Sequence, residues 1–237
     1  MASASETFVS KDALRRIISD IKEIRKNPLT GHGIYYEHDD TDILKGRALI
    51  IGPADTPYAD GFYLFKFQFP ANYPHAPPKV EFCTSDGYTR FNPNLYRTGK
   101  VCLSILNTWK GEPWSGCQTI SSVLLALCTV LNDEPLLNEP GIMKSHRDFE
   151  AYNEILRYKN IEVAIFEMLK SVNATSDIVG VPSPSEFAIF GDIMRKYFLE
   201  NKEKIRERVQ AGETKECTIS VYKMTVLTDY NSLLLRF

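Results

Sequence analysis

The sequence predicts an α+β fold, and three observations carry that prediction. An amphipathic helical stretch opens the chain, short alternating segments follow between turns, and long helical patterns fill the second half. With 43% hydrophobic and 24% charged residues, the composition is that of a soluble globular protein and excludes a disordered chain. A length of 237 residues suits a domain of about 150 residues with an extension.

Residues 10–27 read as the N-terminal helix. Leu14, Ile17, Ile18, Ile21 and Ile24 form one apolar stripe, Ser10 caps the start, and Asn27–Pro28 ends it. Arg15, Arg16, Lys22, Arg25 and Lys26 lie off the stripe, as a solvated face or as a docking surface for an acidic partner. Strand patterns follow at Arg47–Ile51, Phe62–Phe69 and Val80–Thr84. The second alternates, with Tyr63, Phe65, Phe67 and Phe69 on one face and Leu64, Lys66 and Gln68 on the other. GPADTPYADG closes a hairpin between the first two. PANYPHAPPK, residues 70–79, is neither helix nor central strand, because proline lacks a donor and fixes φ. These segments predict a four-stranded antiparallel meander with a helix packed on one side.

Residues 85–116 have little periodicity, and long irregular loops inside a compact domain are usually functional. Thr119–Asn132 is apolar nearly all round (Ile120, Val123, Leu124, Leu125, Leu127, Val130, Leu131), which predicts a central buried helix. His146–Ser171 reads as an amphipathic helix and Asn173–Pro182 as a linker. Ser183–Pro184 then starts a capped helix running to about Gln210. Cys217–Met224 reads as a short strand and Leu233–Phe237 as a terminal apolar patch. The expected organisation is a flexible tail over residues 1–9, a core over 10–172, and an extension over 173–237 packed on the core.

A formal net charge of −2 argues against nucleic acid as a partner, and no apolar run reaches the roughly 18 residues that span a bilayer. MASASETFVSKD has no apolar core behind a basic region, so no secretory signal is expected. Five cysteines, none spaced C-x-x-C, and four histidines argue against a zinc site. A disulfide framework is a poor fit, so the expected compartment is the reducing cytoplasm or nucleus.

The segment FNPNLYRTGKVCLSIL, residues 91–106, carries the chemistry. Cys102 precedes Leu103, Ile105 and Leu106, and by residue type alone such a cysteine reads as a core thiol. Its place in a long loop, with the amide donors Asn92 and Asn94 nearby, weakens that reading and leaves open a nucleophile whose oxyanion is met by neutral donors. No histidine is close in sequence, so a cysteine-hydrolase pairing has no local support. Cys128 and Cys217 read as packing residues and Cys83 as a strand residue. Cys117, at the start of the central helix, is the candidate decoy thiol.

Four motifs in order resemble the ubiquitin-conjugating enzyme family. They are GPADTPYADGFY, FPANYPHAPPKVEF, NPNLYRTGKVCLSIL and Trp114–Ser115. The resemblance covers roughly residues 10–170. Asn92 stands where most members have histidine, four extra residues fall in NTWKGEP (107–113), and LLNEPG follows. With YNEILRYKNIEVAIFEMLK and DYNSLLLRF, these features are similar to the Z-type members, which carry a C-terminal extension.

That resemblance implies the UBC fold and an E2 transferase, with Cys102 taking the carboxyl terminus of ubiquitin, or of a ubiquitin-like modifier, as a thioester. Asn94 matches the residue that braces the loop and stabilises the oxyanion, and a loop staple is its alternative reading. Asn92, Pro93 and Tyr96 belong to the loop architecture. The acidic-gate position falls on Asn138 or Glu139. The first helix, through Arg15, Arg16 and Lys22, would meet the activating enzyme. His75 with Ser115, Gly116 and Cys117 would meet ligases, RING-type rather than HECT-type, because His75 replaces a bulky Phe. Ser122 and Leu125 match the face that receives donor ubiquitin, with core packing the other reading of Leu125. A monomer acting on protein substrates without metal or cofactor is expected, ATP being used by the activating enzyme. A catalytically dead variant would lack the cysteine that this chain retains.

Overall fold

The computed structural model describes residues 9–173 and 186–237. The linker and capped start expected around 174–185, and the tail up to residue 8, lie outside them. Helix α1, Lys11–Lys26, is capped by Ser10, whose hydroxyl accepts from the Ala13 amide at 3.0 Å. Its buried face is Ala13, Ile17, Asp20 and Ile24, and Ile18 is exposed, so the apolar stripe is turned partly to solvent. Ala13, Ile17 and Ile24 join the core, and Asp20 is accommodated among them because its carboxylate accepts from Arg16 and from the buried Tyr73 hydroxyl.

Four antiparallel strands follow in sequential order: β1 Ile34–His38, β2 Lys45–Ile51, β3 Phe62–Gln68 and β4 Lys79–Phe82. The registers Ile50↔Tyr63, Ala48↔Phe65 and Phe65↔Phe82 stack the β3 aromatics into the core. Sequence reading passed over β1, whose five residues lie between the turn clusters TGHG and DDTD.

The turn from β2 to β3 is drawn tight. A Cβ on Gly52 would fall 1.8 Å from the Tyr58 carbonyl oxygen, so only glycine allows this approach. Asp60, at φ +64, holds a conformation that costs a non-glycine residue about 1–3 kcal/mol and persists only when its surroundings fix it. The fixing groups come from the extension: Arg208 pairs with its carboxylate at 2.6 Å and the Tyr197 hydroxyl donates to it at 2.6 Å.

Helix α2, Ile120–Thr129, buries Ile120, Val123, Leu124 and Leu127. Leu125 is 42% exposed, so the helix is buried on one face only. The amphipathic stretch expected over His146–Ser171 is not one helix. It divides into α3 Phe149–Lys159, a π-helical stretch Asn160–Glu167 and α4 Met168–Asn173. Asn160, buried at the start of the wide turns, donates to the Ala59 carbonyl and accepts from the Tyr63 hydroxyl, fastening this helix to the β2–β3 turn.

In the extension, α5 Gly191–Gln210 ends where the sequence placed it. The single strand expected over Cys217–Met224 is instead a hairpin, β5 Glu216–Ile219 with β6 Met224–Leu227, followed by α6 Tyr230–Leu234. Lys223 at φ +50 lies in the reversal inside what reads as one short strand. Of the terminal patch, Leu233 is buried and Leu235 almost fully exposed.

Candidate active site

Residues 91–108 form a pinned loop rather than an irregular one. Leu95 bridges Val101, the Tyr96 amide donates to the Lys100 carbonyl at 2.9 Å, and Gly99 turns the chain at φ +84. This tight hairpin leans on β4, where the Phe82 amide donates to the Gly99 carbonyl at 2.8 Å. Cys102 follows it directly. Its amide donates to the Asn94 carbonyl at 2.8 Å, and the Asn94 side-chain amide donates back to the Cys102 carbonyl at 2.7 Å. On the far side, the Thr108 hydroxyl accepts from the Leu103 amide at 3.0 Å, and Leu103 leads into a single 3-10 turn, Ser104–Leu106. The Cys102 backbone is therefore fixed from both ends, and Cys102 keeps only 1% of its surface exposed.

Below this clasp lies Asn92, fully buried. Its Oδ1 accepts from the Asn94 amide at 2.9 Å, and its Nδ2 donates to the Tyr58 hydroxyl and the Val130 carbonyl. Every polar atom of that side chain is used in holding the loop. Pro93 is buried in the same turn, and the Tyr96 ring is covered by the Arg90 guanidinium, 3.4 Å from its centroid. Arg90 also donates to the carbonyls of Asn92 (2.9 Å) and Pro93 (2.7 Å). Arg90, Tyr58 and Thr108 carry no signal in the sequence, because each acts through backbone atoms that no spacing rule marks.

Asn94 thus makes the contact of a loop staple, one N–H of its side-chain amide donating to the backbone of Cys102 itself. Asn138 closes a short helical turn, Pro135–Asn138, and its amide donates at 3.3 Å to the Val130 carbonyl that Asn92 also uses. The Glu139 carboxylate accepts from the Tyr222 hydroxyl of the C-terminal hairpin at 2.6 Å.

The expected docking residues sort differently from the sequence reading. Arg15 and Lys22 are exposed, but Arg16 is committed within the chain: it pairs with Asp20 at 2.8 Å and donates to the carbonyls of Gly116 and Gln118. The Trp114 indole donates to the Pro74 carbonyl at 2.7 Å, which brings exposed His75 beside the exposed Ser115–Gly116–Cys117 loop. Arg16 therefore braces the proposed ligase face rather than offering a free charge. Ser122 is likewise occupied, in a capping box with Thr119. Leu125 remains an exposed apolar group on the outer face of α2. Cys117 stands free in its loop ahead of α2. Burial pushes the Cys83 thiol up to about 12 and raises those of Cys128 and Cys217. Among the described residues, no group of three His, Cys, Asp or Glu is placed to hold a metal ion, and no helix is long and apolar enough to cross a membrane.

Residues 16–160 match the family described as ubiquitin-conjugating enzyme. The chain is 46% identical over 160 residues to Ubiquitin-conjugating enzyme E2 Z of Homo sapiens, covering 66% of this chain and 45% of that protein. It is 36% identical over 216 residues to Probable ubiquitin-conjugating enzyme protein 17 of Caenorhabditis elegans, covering 85% of this chain and 28% of that protein. The chain spans about half the length of the E2 Z proteins that it matches. A solved structure of human Ubiquitin-conjugating enzyme E2 G1 aligns with a TM-score of 0.44 at 31% identity, covering 51% of this chain and 94% of that one.

Proposed function

Because the chain belongs to the ubiquitin-conjugating enzyme family, whose members are E2 transferases with the UBC fold, we propose that it carries ubiquitin or a ubiquitin-like modifier as a thioester on Cys102. The observation that carries this reading is the two-bond clasp between Asn94 and Cys102, which fixes one cysteine at the end of a tight hairpin. In the first step the Cys102 thiolate attacks the thioester carbonyl held by an activating enzyme. The new S–C bond forms and the activating enzyme's thiolate leaves. In the second, an uncharged lysine amine or a ligase thiolate attacks the same carbonyl and Cys102 leaves as thiolate; the amine's proton passes to solvent or a base. Neither step needs a metal or organic cofactor on this chain.

Three of the other four thiols are weaker candidates. Burial raises the pKa values of Cys83, Cys128 and Cys217, which makes their thiolates scarce near neutral pH. The nearly full burial of Cys102 means that charging includes a local opening of the groups that cover it. The exposed Leu125 supports a donor-modifier contact on α2, and the exposed patch around His75 and Ser115–Cys117 supports a ligase contact; a RING-type partner in preference to a HECT-type one rests on His75 standing where the family resemblance has a bulky Phe. Arg15 and Lys22 remain available to the activating enzyme.

Incubation with an activating enzyme, ATP and ubiquitin is expected to give an adduct of one modifier, stable without thiol and removed by it. The assay is run separately with two activating enzymes and with several ubiquitin-like modifiers. Failure of every combination to give such an adduct would remove the reading.

A further inference from the structure

The C-terminal hairpin, some 120 residues beyond Cys102, closes on the base of the catalytic loop. Its turn is anchored by Asp148, whose carboxylate accepts from the amides of Ser220 and Val221 and from the Ser220 hydroxyl at 2.8–2.9 Å. That anchor fixes the next residue, Tyr222, between two segments. On one side, its ring lies 5.4 Å from the Arg90 guanidinium and its carbonyl accepts from Arg97 at 2.8 Å. On the other, its hydroxyl donates to Glu139. Arg90 holds the carbonyls of Asn92 and Pro93, and Asn138 shares the Val130 carbonyl with Asn92. Tyr222 therefore completes a ring of contacts that joins the loop bearing Cys102 to the segment after α2.

We infer that Tyr222 is a positioning residue for transfer to lysine, holding the catalytic loop and the Glu139 carboxylate in register. The inference rests on the thioester reading above. Burial and the adjoining Glu139 carboxylate raise the pKa of the Tyr222 hydroxyl, which remains a donor through neutral pH. Only Oε2 of Glu139 is engaged among the described residues, which leaves Oε1 to accept from an incoming amine or ammonium group. Tyr222 thereby fixes which oxygen is presented. Charging is less dependent on this order, because the activating enzyme brings its own ordered surface. An isolated lysine brings none.

The full chain is charged, the activating enzyme is quenched, and loss of the thioester is followed with free lysine and with water alone, melting temperature being measured in parallel. Tyr222→Phe keeps the ring on Arg90 and loses the hydroxyl. It is expected to slow discharge onto lysine about tenfold, with charging and loss to water within about twofold of the parent. Glu139→Gln is expected to reproduce that selective defect. Lysine discharge unchanged in Tyr222→Phe, with normal charging, overturns this inference alone. So does an equal fall in charging, hydrolysis and melting temperature, which is the mark of a purely structural residue. Absence of any charging in the parent chain overturns the thioester reading and this inference with it.

Discussion

Replacing Asn94 with alanine is expected to slow charging and lysine discharge together, by about 10²-fold each. The Asn94 amide is bonded to the Cys102 carbonyl at 2.7 Å, so its loss frees the backbone that carries the nucleophile. A misplacement of about 1 Å at a reacting group is enough for a loss of that size. The buried carbonyl left without its donor also costs about 1–3 kcal/mol, so melting should fall by several degrees. Asn94→Asp should not rescue, because an ionised carboxylate has no proton to donate and would face a carbonyl oxygen. A different outcome is informative: normal charging with discharge alone impaired would mean that the amide leaves the carbonyl and acts on the reacting centre, as an oxyanion donor does.

Arg208→Met is expected to destabilise the protein by about 3 kcal/mol. Asp60 is buried, with 3% of its side chain exposed, and sits at positive φ; without the guanidinium its carboxylate keeps, among the described residues, the Tyr197 hydroxyl. The partner guanidinium is about one-third exposed, which places the loss at the lower end for buried pairs. For a chain of this size the melting temperature should fall by roughly 10 °C. Adding Asp60→Asn should recover most of the loss, because the uncompensated charge is then gone. A shift of less than 2 °C in Arg208→Met, roughly the effect of a minor surface change, would show that this pair does not lock the extension to the β2–β3 turn.

Alternation and turn chemistry made the meander legible, from Arg47 to Thr84, and the α1 cap and the end of α5 were readable from local signals. What remained hidden is mostly long-range. Asp20 is buried because Tyr73 and Arg16 meet it, and no helical period marks an aspartate for the inner face. The reversal at Lys223 interrupts a segment that sequence reads as one strand. The site divides the same way. Cys102, Asn92 and Asn94 lie in one contiguous segment and could be picked out together. Arg90, Tyr58 and Tyr222 come together only through the fold, and the contacts of Arg16 with Asp20 and two backbone carbonyls, and of Ser122 with the Thr119 cap, are not legible from spacing.

The central claim is a covalent bond to one sulfur, and its most direct test is the chemistry of the adduct on a Cys102→Ser chain. The account predicts that the parent chain gives an adduct cleaved by thiol and that Cys102→Ser gives one resistant to thiol and cleaved by base, as an oxygen ester would be. Peptide mapping should place both at residue 102, with Cys117→Ser behaving as the parent. A thiol-labile adduct that persists in Cys102→Ser, or that maps to Cys117, would contradict the account.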